Sequence, residues 1–171
     1  CFVYRDSLYV FGGTDNSSNM NEIVRYDLST QNSGEWTTIA KVNEANQRGG
    51  VAFVVEDKVY AGLGEKSNGI RNGFYVSSDS LTKWELIPSI PAQLGVISSG
   101  VYDEQKKSFF MIDNDGKIWE YNLTTEQWTS RSLWIRMKNY HMFMLDGSIY
   151  ILGQDIYQKN KFTVYNPIWD N

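Results

Sequence analysis

Glu44, Arg48, Glu65, Arg71, Arg136 and His141 are the side chains whose types could carry acid–base or anion-binding chemistry. A carboxylate set near an imidazole or a guanidinium can move a proton or hold a charged ligand, provided the fold brings the groups within hydrogen-bond reach. His141 is the single histidine and Cys1 the single cysteine. One imidazole excludes a metal centre built on two or three histidines, and one thiol excludes an internal disulfide. The set predicts no metal and no cofactor. His141 stands just before Met142-Phe143-Met144, where it reads as the polar end of a strand. Asp113-Asn114-Asp115-Gly116 has the acidity of a calcium loop, but its glycine comes too early and strand-like sequence flanks it. That run reads as a tight hairpin turn. Gly12-Gly13 follows a strand without leading into a helix, so it is no phosphate-binding loop. Asn16-Ser17-Ser18 and Asn122-Leu123-Thr124 fit the N-glycosylation triplet. No serine lies in a nucleophile-elbow sequence.

The elements that must position these groups are strands. Val, Ile, Tyr, Phe and Trp come in short runs broken by Gly, Asn, Asp and Ser, and helical periodicity is almost absent. Strands are predicted at residues 8–11, 51–55, 58–61, 74–77, 108–112, 117–121, 142–145, 148–152 and 161–165. No helix is required. Arg5-Asp6, Glu56-Asp57 and Asp146-Gly147 read as two-residue turns between adjacent strands. Residues 133–139 fit strand or loop equally. The 171 residues, 42% hydrophobic and 15% aromatic, suffice for one ordinary domain with a core, which excludes disorder as the overall state. A net charge of −4 argues against nucleic acid as the main partner, and no apolar run is long enough for a membrane-spanning helix.

A repeat is the strongest signal in the chain. FVYRDSLYVFGG at residues 2–13, FVVEDKVYAGLG at 53–64 and FMLDGSIYILG at 143–153 share one order: apolar strand, polar turn, apolar-Tyr pair, glycine. Residues 101–112 keep that order with a longer turn and Phe110 in place of the tyrosine. A tryptophan follows each, at Trp36, Trp84, Trp128 and Trp169, a period of about 45 residues that suits four short strands per unit. The units run approximately 1–40, 49–88, 95–131 and 139–171, and the prediction is an all-β chain of four four-stranded antiparallel sheets. Such a sheet cannot bury both faces alone, so neighbouring sheets must stack. The repeat tryptophans are expected to pack between them, with Trp119 and Trp134 outside the pattern.

These residues resemble kelch repeats, the blades of the kelch and galactose-oxidase class of β-propeller. The double glycine stands at Gly12-Gly13, relaxes to Gly62-Leu63-Gly64 and Leu152-Gly153, and is replaced by Ile112-Asp113 in the third unit. The aromatic and later tryptophan of the motif are matched by Tyr26 and Trp36, Tyr121 and Trp128, and Tyr165 and Trp169. In the second unit Val76 stands where the tyrosine would be, while Trp84 is kept. The resemblance implies rings of six or seven blades, so four units are expected to form part of a larger ring. A closed four-bladed ring is the alternative.

Galactose oxidase implies a copper site of two tyrosines, two histidines and a crosslinked cysteine, which a chain with one histidine cannot build. Sialic-acid epimerases of kelch fold imply an acid–base pair in the channel, and none of Glu44, Arg48, Glu65, Arg71 or Arg136 is matched to one. The expectation is a non-catalytic recognition or scaffolding propeller that binds a protein or glycan at its loop face, with no nucleic acid and no membrane span. The alternative is a carbohydrate-active enzyme completed by further blades. Loops 14–21 and 65–72 would share one face, with Arg71 as the best anchor beside Glu65, and with Arg48, Arg136 and His141 as further ligand-binding candidates. The Asn-, Ser- and Tyr-rich texture leans toward a bacterial periplasmic or surface protein.

Overall fold

The computed structural model describes residues 1–15, 17–27, 34–70, 72–78 and 80–167. They form two units, Cys1–Pro88 and Ser89–Asn171, each holding two antiparallel sheets whose strands are neighbours in chain order. In the first unit, sheet one comprises β1 (Phe2–Tyr4), β2 (Ser7–Phe11), β3 (Glu22–Asp27) and β4 (Trp36–Lys41). Sheet two comprises β5 (Val51–Val55), β6 (Lys58–Gly62), β7 (Phe74–Ser78) and β8 (Glu85–Leu86). In the second unit, sheet three comprises β9 (Ile97–Asp103), β10 (Ser108–Asp113), β11 (Lys117–Asn122) and β12 (Gln127–Trp134). Sheet four has three strands among the described residues: β13 (Lys138–Leu145), β14 (Ser148–Gln154) and β15 (Asn160–Tyr165). Trp169, expected on a fourth strand there, lies outside the described residues.

Turn chemistry starts three of the sheets. Arg5 and Asp6 both take positive φ (45° and 58°), as do Asp146 and Gly147 (49° and 72°), the twist that closes a two-residue hairpin. Glu56, at φ 53°, opens the turn between β5 and β6. One short helical element occurs among the described residues. Asn43–Ala45 forms a single 3-10 turn between β4 and β5, too short to leave a periodic pattern.

Alternation along the strands decides which side chains meet. Phe2, Tyr9 and Phe11 share one face of sheet one with Ile23, because Phe2 pairs with Tyr9 and Phe11 with Ile23. That face packs on Ala52, Val54 and Val59 of sheet two in one apolar cluster. The second unit repeats the arrangement. Val101, Phe110, Ile112 and Ile118 of sheet three pack on Met142, Met144, Ile149 and Ile151 of sheet four. The innermost strands lie side by side, β1 against β5 and β9 against β13, and the Met142 amide donates to Ser99 Oγ at 2.9 Å. Tyr140 is buried in the second cluster, where its hydroxyl donates to the Ile135 carbonyl at 2.6 Å and accepts the Met137 amide at 3.0 Å. Strand β10 is enclosed on both faces: all six of its residues are buried.

The repeat tryptophans do not play one role. Trp84 is half-buried and crosses between sheets, its ring 4.7 Å from Phe11 and edge-on, with Nε1–H donating to the Leu81 carbonyl at 2.9 Å. Trp128 sits across from Tyr121 of its own sheet, ring centroids 4.8 Å apart. Trp36 faces Tyr26 in the same way at 5.4 Å and is 52% exposed. The expectation of packing between sheets is corrected for Trp36, since a cross-strand pair covers only one side of each ring. Trp119, outside the repeat, is buried, with its indole N–H on Asp113 Oδ2 at 2.9 Å.

Truncation should separate the two kinds of tryptophan. Trp84→Ala removes a contact between sheets and should cost about 2–4 kcal/mol in urea unfolding, somewhat less than the roughly 3–5 kcal/mol of a fully buried large aromatic because the ring is half-buried. Trp36→Ala should cost less than about 1 kcal/mol, because its ring already faces water. Equal losses would show that the distinction is wrong.

Candidate functional site

The first unit gathers its loops at the ends of β2, β4 and β6. Gly12, at φ 69°, makes that gathering possible: a side chain there would meet the Ala45 carbonyl and come within 2.7 Å of the Gln47 carbonyl. The Gly13 amide donates to that same Gln47 carbonyl at 2.8 Å. Gly64 does the equivalent from sheet two, where a Cβ would lie 2.6 Å from the Arg48 carbonyl. The motif glycines thus admit the segment 43–48 between two strand ends.

Two buried amide side chains then fix that segment. Gln47 Oε1 accepts the Gly64 amide at 2.9 Å, and Gln47 Nε2–H donates to the Glu44 carbonyl at 3.4 Å. Asn72 Nδ2–H donates to the same carbonyl at 2.7 Å, and Asn72 Oδ1 accepts the Tyr75 hydroxyl at 3.3 Å. Burial, aided by the nearby Glu44 carboxylate, holds the Tyr75 phenol above its ordinary range.

On this base Arg48 and Glu65 come together. They form an isolated antiparallel bridge, exchanging both main-chain hydrogen bonds at 2.9 Å. The Arg48 guanidinium also donates Nε–H and an Nη2–H to Glu65 Oε2, at 3.1 and 2.9 Å. Loop 14–21 reaches the same place: Asn19 Nδ2–H donates to the Glu65 carbonyl at 2.8 Å. The loop keeps its shape through Asp15, whose Oδ1 accepts the Ser17 and Ser18 amides and the Ser17 hydroxyl. Those amides, Ser18 foremost, hold the Asp15 carboxyl below its ordinary range.

Beside the ion pair opens a cleft of about 380 Å³ lined by Asn43, Asn46, Lys66, Ser67 and Asn68. Its wall offers amides, a hydroxyl and one ammonium. Sequence reasoning found the loops and named Arg48 and Glu65 as separate candidates, but it neither paired them nor singled out these asparagines. Their density was the available signal, masked by the frequency of Asn in ordinary turns. Arg71 lies outside the described residues.

Arg136 and His141 belong to the second unit. Arg136 is exposed in the link before β13, and His141 is exposed on β13 opposite Leu152. A second hollow, about 320 Å³, lies there among His141, Leu152, Gln154, Asn160 and Lys161. Asn139 Nδ2–H donates to Gln154 Oε1 at 3.0 Å on its rim.

Two sequence motifs find structural uses. Asp113 accepts the Asp115 and Lys117 amides on Oδ1, at 3.0 and 2.9 Å, so the acidic run closes the hairpin between β10 and β11. Asn122 of the Asn-Leu-Thr triplet accepts the Thr124 and Thr125 amides at 2.9 Å and donates to Ser108 Oγ at 3.0 Å. Its side chain is committed to that turn. Asn16 of the other triplet lies outside the described residues.

A kelch motif model matches residues 1–43, the stretch that holds sheet one and its double glycine. Solved structures extend the likeness to the other sheets. A chain from the crystal structure of a nidogen–laminin complex superposes with a TM-score of 0.60 at 12% identity, over 96% of this chain and 60% of that one. The sheets have the fold of β-propeller blades, and the first of them matches the kelch motif. The structure of YjhT matches this chain with a TM-score of 0.59 at 11% identity, covering 89% of it and 64% of YjhT. A structural genomics protein of unknown function from Bacteroides thetaiotaomicron matches at 0.52 and 14% identity, covering 90% and 43%. The chain therefore spans less than two thirds of the length of these structures. No curated protein matches it in sequence.

Stability should depend on the buried amides of this site and little on its ion pair. Gln47→Ala strands the buried Gly64 N–H and should cost about 1–3 kcal/mol. Arg48→Ala breaks a pair that is largely in water and should cost less than about 1 kcal/mol. Urea unfolding of the two variants checks this, and the reverse order would contradict the account.

Proposed function

We propose that this chain is a non-catalytic recognition and scaffolding module whose loop face binds a glycan or a protein. Propeller loops converge at the ends of a rigid set of sheets, which suits recognition by side chains from several loops. One observation carries the reading: the cleft of Asn43, Asn46, Lys66, Ser67 and Asn68 beside a loop pair already locked by Asn19, Arg48 and Glu65. Each side-chain amide offers donors and an acceptor, the pattern that neighbouring sugar hydroxyls require. Ile70, 62% exposed in the same loop, supplies an apolar contact. The lining therefore favours a glycan over a protein. A catalytic reading finds less support, because the Glu65 carboxylate is engaged by Arg48. A bacterial periplasmic or surface setting fits the same reading through the Asn-, Ser- and Tyr-rich composition.

A glycan array probed with the labelled protein tests it. The expected result is binding to a restricted set of neutral glycans, weakened at least tenfold in Asn46→Ala/Asn68→Ala with an unchanged circular dichroism spectrum. No binding to any glycan would sink the glycan reading, and undiminished binding by the variant would remove the cleft from it.

A further inference from the structure

Around the asparagine-lined cleft the chain uses up its acceptors and keeps its donors. Both walls come from this chain: Asn43 and Asn46 from the link between sheets one and two, and Lys66, Ser67 and Asn68 from the loop between β6 and β7. Four main-chain carbonyls there already accept. The Asn43 carbonyl takes the Asn46 amide at 3.1 Å, and the Glu44 carbonyl takes the side-chain N–H groups of Gln47 and Asn72. The Glu65 carbonyl takes the Arg48 amide and Asn19 Nδ2–H, and the Lys66 carbonyl takes the Gly69 amide at 2.9 Å.

The loop side chains carry the same bias. Asn68 Oδ1 accepts the Ile70 amide at 3.1 Å, which leaves the two Nδ2–H groups to donate to a ligand. Ser67 Oγ accepts the Asn19 amide at 3.4 Å, so its rotatable O–H is the group left to donate. Lys66 adds an ammonium, a donor with no acceptor capacity. Only the side chains of Asn43 and Asn46 offer both. Such a wall suits a ligand group that accepts strongly, rather than a plain sugar hydroxyl that donates as readily as it accepts. Glu44 stands between Asn43 and Asn46, and its carboxylate balances the Lys66 charge, which favours a neutral acceptor over an anion. Ile70, 62% exposed, lies across the turn from Lys66, whose amide donates to the Ile70 carbonyl at 2.8 Å. A neutral acceptor and an apolar contact stand side by side in one common sugar substituent, the acetamido group, with its carbonyl oxygen and its methyl.

We propose that the cleft selects 2-acetamido sugars, with the Ser67, Asn68 and Lys66 donors holding the amide carbonyl and Ile70 meeting the methyl. This rests on the glycan reading above and names the class of sugar it concerns.

NMR chemical-shift titration with three methyl β-glycosides, carried into the millimolar range, tests the proposal: the 2-acetamido-2-deoxyglucoside, the glucoside and the glucuronide. The acetamido sugar should bind at least about tenfold tighter than either of the others, the gain from an added hydrogen bond or two. Asn68→Asp keeps the oxygen that accepts the Ile70 amide but loses the Nδ2–H donors, so it should lose this preference at an unchanged melting temperature. Ile70→Ala should weaken the acetamido sugar about fourfold, the worth of one methyl contact, and leave the glucoside as it was. Should Asn68→Asp melt early, Ser67→Ala takes its place. Equal affinity for glucoside and acetamido sugar overturns the proposal and leaves the cleft a sugar site. Tightest binding of the glucuronide overturns it in favour of an anion site. No shift with any of the three also overturns it, and other glycans bound on the array would then leave the broader reading standing.

Discussion

Apolar contact between stacked sheets is the interaction on which the rest of this structure depends. A strand sends successive side chains to opposite faces, and in β10 both faces are apolar and buried. No single four-stranded sheet can satisfy such strands. The sheets solve this pairwise and by a fixed rule: the face set by the first residue of the repeat receives, and the face set by its neighbour covers. Phe2, Tyr9 and Phe11 receive in sheet one, and Ala52, Val54 and Val59 cover from sheet two. The second unit obeys the same registers with different residues, aliphatic and methionine-rich.

The candidate site is a consequence of that stacking. Once two strand ends are held at sheet spacing, the chain between them must pass through a narrow gap, and Gly12 and Gly64 are the residues without a Cβ to obstruct it. The buried amides of Gln47 and Asn72 then satisfy main-chain groups that the gap has taken from water. Only after these requirements are met do Arg48, Glu65 and Asn19 meet, leaving the asparagine-lined cleft at the surface. The ion pair is a clasp on the loops, and the ligand-facing chemistry lies in the neutral amides beside it.

Much of the fold was legible because its signals are local. Alternation located the strands, and positive-φ residues at Arg5-Asp6 and Asp146-Gly147 marked the turns. The Tyr and Trp landmarks were legible as positions but not as roles. Trp36 and Trp84 look alike in sequence, yet the first pairs with Tyr26 of its own sheet while the second meets Phe11 of the next. The pairing of Arg48 with Glu65 joins residues of two separate loop segments, outside the strands, which spacing alone does not predict. In β13 both Phe143 and Met144 are apolar, so the sequence could not say which face lies open; only packing against sheet three distinguishes them.

The claim that fixed registers carry sheet-on-sheet packing is tested most directly by a double-mutant cycle on Phe110 and Tyr165. These rings lie 6.4 Å apart, edge-on, on β10 of sheet three and β15 of sheet four. Unfolding free energies of Phe110→Ala, Tyr165→Ala and the double variant give their coupling. The account predicts a coupling of about 0.5–1.5 kcal/mol, the range for aromatic pairs in contact. Additive losses, with coupling below about 0.3 kcal/mol, would contradict it.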